Sequence, residues 1–133
     1  MNTIDYIKET MKIDEQYLSE MARIGFLKGG SYEIYVRTND PGFNPHMHIW
    51  DSNTRGEDFH TCIRLDKPEY FIHEGKADKL NSKMKKELIK FLGEYDDDEP
   101  DKTHWEILLI EWNRNNSSVK VKKDTPMPDY TKL

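Results

Sequence analysis

Two short segments of this chain, Pro45-His46-Met47-His48-Ile49-Trp50 and Phe59-His60-Thr61-Cys62-Ile63-Arg64, carry three of its five histidines and its single cysteine. Imidazole changes charge near neutral pH and offers a lone-pair nitrogen to a proton or a metal ion; a thiolate offers sulfur. Both segments alternate apolar and polar residues, the period of a β-strand, so each sorts into two faces. Met47 and Ile49 oppose His46, His48 and Trp50, while Phe59, Thr61, Ile63 and Leu65 oppose His60, Cys62 and Arg64. Residues 31–38 sort the same way, with Tyr32, Ile34 and Val36 on one side and Glu33, Tyr35 and Arg37 on the other. The apolar sets must meet helices. The remaining side chains are therefore expected to share one outward, polar face.

Register brings the histidines together. If the two His-bearing strands form a hairpin with matched faces, opposing residue numbers sum to an even value, and 108 and 110 both fit. The first sets His48 opposite His60 and His46 opposite Cys62; the second sets His48 opposite Cys62. In either case His46, His48, His60 and Cys62 fall in one patch, since cross-strand neighbours lie within about 5 Å.

Three readings fit that patch. In the first, His46, His48 and His60 exchange protons in phosphoryl or RNA chemistry. Arg37 and Arg64 then hold phosphate, and Tyr35 or Trp50 stacks a base; this needs no cofactor. In the second, His46, His48, His60 and Cys62 hold zinc for a metal-dependent hydrolysis. In the third, the face does no chemistry and binds another protein or lies under the tail. Cys62 is a nucleophile only if a histidine activates it, and a sheet-surface thiol is more often inert. His73 reads as structural and His104 as solvent-exposed. Lys83, Lys85, Lys86 and Lys90 read as the wet side of a helix, and Trp105 and Trp112 as packing residues.

The elements that position this face follow from local signals. Residues 1–25 read as a helical extension in two pieces, capped by Asn2 and Asp14, with Leu18, Met21 and Ala22 as its apolar stripe and Gly25 as its stop. Gly29-Gly30 turns the chain into a sheet spanning residues 31–75, with strands expected at 31–38, 45–50, 59–65 and 69–74 and a hairpin tip at Gly56. A helical pair follows over residues 80–115. Leu80, Met84, Leu88, Phe91 and Leu92 form the first stripe, stopped by Gly93. Thr103 and Glu106 have capping-box spacing ahead of Trp105, Leu108, Leu109 and Trp112. Residues 116–133, with DTPMPDY, read as an extended tail packed loosely on the body. The expected architecture is a single α+β domain: a two-layer sandwich of a four-stranded antiparallel sheet, N-terminal helices and two C-terminal helices.

Composition narrows the function classes without choosing one. A chain of 133 residues is long enough to bury a core without staples, and one cysteine permits no internal disulfide, as expected of a cytoplasmic protein. No apolar run reaches membrane-spanning length, and the acidic start lacks the pattern of a signal peptide. The net charge of −5 is misleading for nucleic-acid binding. Residues 94–101, EYDDDEPD, hold six of the 25 acids, and the remaining 19 face 20 bases. That run reads as a solvated connection between helices, with a partner-binding acidic loop as the minority reading.

Asn44-Pro45-His46-Met47-His48, the Glu74-Gly75 step, the amphipathic helix after it and the final helix HWEILLIEWNRNN resemble a family of small bacterial proteins classed as a domain of unknown function. Its marks are an Asn-Pro-Pro-His-Phe-His run and a closing Leu-x-x-x-Trp pattern, matched here by Leu108 to Trp112; the resemblance covers roughly residues 31–123. His46 and His48 match the paired histidines, whereas this chain has one proline before them and Met47 in place of the aromatic. The resemblance implies a small cytoplasmic protein from toxin–antitoxin-like or mobile-element gene neighbourhoods, and no set activity. Joined to the residues, it leads to an expected protein that binds or cleaves RNA through a His/Arg/Tyr face. Its partner would be RNA or a small protein, with homo-oligomers allowed and no membrane. A non-enzymatic interaction domain is the alternative.

Overall fold

A computed structural model describes residues 21–38, 44–72 and 77–133. Four strands, β1 (Met21–Leu27), β2 (Tyr32–Arg37), β3 (His46–Asp51) and β4 (His60–Arg64), pair in chain order as an antiparallel meander. Two helices follow, α1 (Ser82–Gly93) and α2 (His104–Asn115). The α+β class and the C-terminal helical pair are as the sequence suggests. No described helix is long and apolar enough to cross a membrane.

The N-terminal end of this architecture differs from expectation. Residues 21–25, expected to close a helix, belong to β1, the edge strand beside β2; the helices expected over residues 1–20 lie outside the described residues. Gly25 does not stop a helix. It sits on the core side of β1, where an added Cβ would lie 2.2 Å from Cζ of Phe91, so its missing side chain lets α1 cross close over the strand. Of the strand expected at 69–74, residues 69–72 are described, and they form a bridge between Ile63 and Tyr70, flanked by hydrogen bonds from Arg64 N to Glu69 O and from Phe71 N to Cys62 O, both 2.9 Å. This short return covers the open edge of β4.

The helices start where their caps place them. Asn81 accepts the amide of Met84 at 2.9 Å, and Thr103 and Glu106 form the expected reciprocal capping box. Their apolar stripes bury Met84, Leu88, Leu92, Trp105, Leu108, Leu109 and Trp112 against Ile34, Val36, Met47, Ile49, Ile63 and Leu65. The core is thus built from the sheet face that alternation assigned to it.

The tail is held firmly, contrary to the loose packing expected of it. Trp112 Nε1 donates to Val119 O at 2.7 Å, Trp105 Nε1 donates to Thr125 O at 2.9 Å, and Asn113 exchanges two hydrogen bonds with Val121. Tyr130 is fully buried and donates its hydroxyl to Arg64 O at 2.7 Å. An aromatic ring with one polar tip suits such a site, apolar around the ring and hydrogen-bonding at its end.

Candidate metal centre

The register of β3 and β4 is the 110 alternative: His48 pairs with Cys62, Trp50 with His60 and His46 with Arg64. On the other side of β3, Tyr35 pairs with His48 and Glu33 with Trp50. The side chains expected to share a face do share it. Their exposure is the correction. His46 and His48 are 0% exposed, Tyr35 and Cys62 1%, Trp50 and Glu33 5%, and His60 6%.

The polar residues of this buried face are mostly rings. Tyr35 stacks on His48 with centroids 4.8 Å apart, and Trp50 meets His60 edge-on at 5.6 Å. His46 sits between Phe71 at 4.7 Å, His48 at 5.1 Å and Trp112 at 5.3 Å. An imidazole or a phenol is apolar over most of its surface and tolerates burial once its heteroatoms are hydrogen-bonded. The result is a second, aromatic core beneath the sheet.

Its polar atoms form a continuous set. His48 Nδ1 lies 2.8 Å from His60 Nε2 and 3.3 Å from Cys62 Sγ; Tyr35 Oη lies 3.4 Å from His60 Nε2. His46 Nδ1 lies 2.7 Å from the carbonyl oxygen of Asn44. A carbonyl only accepts, so Nδ1 carries a proton, and Nε2 is the nitrogen that can offer a lone pair to a metal ion. A backbone partner of this kind commonly orients a metal-ligating histidine. His46, His48 and Cys62 each present one ligand atom, all within 4.8 Å of one another. The group fits a metal ion by donor type and spacing. Zinc bonds of ~2.0–2.1 Å to nitrogen and ~2.3 Å to sulfur set the ligand separation required, and the His48–Cys62 pair already meets it.

Other expected site residues have further partners. Arg64 forks onto Asp66, with Nε and Nη2 each 2.8 Å from a carboxylate oxygen, and lies 3.8 Å from Glu69. The hydrogen bond to Asp66 raises the guanidinium pKa and holds that carboxyl below its ordinary value. Arg37 is half-buried, and its carbonyl accepts from Asn116 at 2.9 Å. Trp50 gives its indole N–H to Glu33 Oε1 at 2.9 Å. His104 is not solvent-exposed: it stacks on Phe91 at 4.0 Å, with Nδ1 2.7 Å from Phe91 O and Nε2 3.2 Å from Asp96. His73 lies outside the described residues.

Three contributors escaped the sequence reading. Arg23, hidden in the expected helix, pairs with the buried Glu33. Phe71 walls His46 from a segment whose two faces both looked partly apolar. Gly56, as expected, is at the turn, but its φ of 87° and its contacts show a further use: a Cβ there would lie 2.7 Å from Trp50 Cε3 and 3.4 Å from His60 Nδ1. Only a glycine admits both the backbone and the rings.

No known family, curated protein or solved structure matches the chain.

Proposed function

We propose that this protein is a metal-binding domain that holds a zinc-class ion between His46, His48 and Cys62, with His60 as the fourth donor. The observation that carries the reading is the convergence of three buried N and S ligand atoms within 4.8 Å. Two imidazoles and a thiolate match borderline ions such as zinc, and a full set of protein ligands marks a closed, structural site rather than a catalytic one with an open water position. Donors that are 0–6% exposed favour the closed kind. In that role the ion ties β3 to β4 and couples binding to folding. His60, whose Nε2 lies 2.8 Å from His48 Nδ1, is the adjacent donor that would complete four.

The RNA reading asks more of this face. It needs Tyr35 and Trp50 open to bases and Arg64 open to phosphate, whereas the rings are buried and Arg64 is engaged by Asp66. The metal reading requires neither. Cobalt substitution tests it. Co²⁺ added to the metal-free chain is expected to bind one per chain and give a tetrahedral spectrum with thiolate charge transfer. Cys62→Ser is expected to abolish the charge-transfer band. Absence of stoichiometric uptake of cobalt or zinc by the wild-type chain rejects the proposal.

A further inference from the structure

A groove of about 700 Å³ runs along α2 beside residues 120–123. Its floor is apolar, from Leu109, Ile110 and Val121, and its rim carries Lys120, Lys122 and Lys123. Ile110 is 37% exposed. Among the described residues none of these three lysines has a carboxylate within ion-pair distance; Glu106, the acid in the lining, is committed to the capping box.

The same chain carries a knob of complementary character. Between α1 and α2, Tyr95 is 64% exposed and is followed by the exposed Asp97 and Asp98, which also form no ion pair among the described residues. This loop is firmly built. Asp96 accepts the amides of Asp98 at 3.0 Å and Glu99 at 2.9 Å, its own amide donates to Lys102 O, and His104 braces its carboxylate. The groove is equally fixed, through the two Asn113–Val121 hydrogen bonds. Two rigid surfaces lose little conformational entropy on docking.

We infer that the lysine-rimmed groove beside α2 receives the Tyr95–Asp98 knob of a second copy of this chain, reciprocally, in a two-fold dimer. The exposed aromatic ring covers Ile110 and Val121, and Asp97 and Asp98 meet Lys122 and Lys123. One dimer buries two exposed apolar side chains of each protomer and neutralises opposite charges on both. A two-fold pairing uses each surface once and closes. Because charge supplies much of the contact, salt weakens it.

Sedimentation across a concentration series tests this, with 15.8 kDa per chain as the monomer reference. The wild-type chain is expected to dimerise at low salt, with the dissociation constant rising about tenfold between ~0.05 and ~0.5 M salt. Lys122→Glu/Lys123→Glu and Asp97→Lys/Asp98→Lys should each be monomeric, since each sets like charges against like. Mixed together they should form a one-to-one dimer, because both contacts are then again of opposite sign. A wild-type chain that stays monomeric at millimolar concentration in low salt overturns the inference. So does a dimer that ignores the charge swaps, a mixture of the variants that remains monomeric, or growth past two chains. The metal reading stands or falls separately on cobalt uptake.

Discussion

His48 and Cys62 face each other across the β3–β4 ladder with Nδ1 and Sγ 3.3 Å apart, in a place where both are almost fully buried. Strand pairing alone produces this contact, since directly opposed residues on one face are neighbours. Burial then decides what it is worth. A thiol and an imidazole on an open surface are mutually replaceable with water, whereas a closed pair must satisfy each other or a shared ion.

That closure makes stability the most direct reporter of metal. An ion that binds only the folded chain stabilises it by ~2.7 kcal/mol at a free concentration ~100 times its dissociation constant. Thermal unfolding of the wild-type protein is expected to shift upward with zinc and return with chelator. His46→Gln and Cys62→Ser should each lose the zinc-dependent increment. An unfolding midpoint indifferent to zinc and chelator removes the structural-metal role.

Gly25 offers a test of the helix packing. Gly25→Ala places a methyl within 2.2 Å of the Phe91 ring, and overpacking of this kind costs about 1–3 kcal/mol. Adding Phe91→Leu should recover part of that loss in urea unfolding. Equal loss in the single and double variants would mean that the ring is not the obstacle.

Much of the site was legible because strand alternation is blind to everything except parity. Once His46, His48, His60 and Cys62 have even numbers on paired strands, they share a side, and the two allowed registers differ only in which pairs meet. Parity says nothing of what lies above that side. The face looked polar because its letters are polar, yet Tyr35, Trp50 and the three imidazoles are mostly ring surface. The β1 error has a separate cause. Leu18, Met21 and Ala22 have helical spacing and Gly25 reads as a helix stop, so the helical pattern runs across the start of β1. A bulge at Ile24, between Arg23 and Gly25, leaves the buried Ile24 and Leu27 three apart, so no period of two marks the strand.

Tyr130 links the tail to the sheet and sets an alkaline limit. Burial pushes its phenol pKa well above the ordinary value of 10.0, and burial also raises that of Tyr70. A raised folded pKa means that the stabilisation is whole below the unfolded value, about 10. It is then lost as pH climbs from there towards the folded value. Stability should therefore fall above about pH 10. Tyr130→Phe should cost about 1 kcal/mol at neutral pH through the lost bond to Arg64 O and make the alkaline decline shallower. An unchanged alkaline slope in that variant would assign the decline to other groups.

Glu33 stands at the middle of a small relay on the edge of the aromatic core: one carboxylate oxygen accepts from Trp50 and the other from Arg23. The carboxylate is buried, while the arginine side chain is 57% exposed, so the pair is worth less than a fully enclosed one. Arg23→Ala is expected to cost about 1–2 kcal/mol, and Trp50→Phe a similar amount for its lost indole donor. The double variant should cost more than their sum. With either partner left, the carboxylate keeps one of the two donors found for it among the described residues; with neither, it loses both. A double-mutant cycle in urea measures the excess directly, and additivity within ~0.5 kcal/mol would show that the two donors act independently. Arg23→Lys should behave closer to wild type than Arg23→Ala, because an ammonium still supplies a donor and a charge, though without the fixed planar fork.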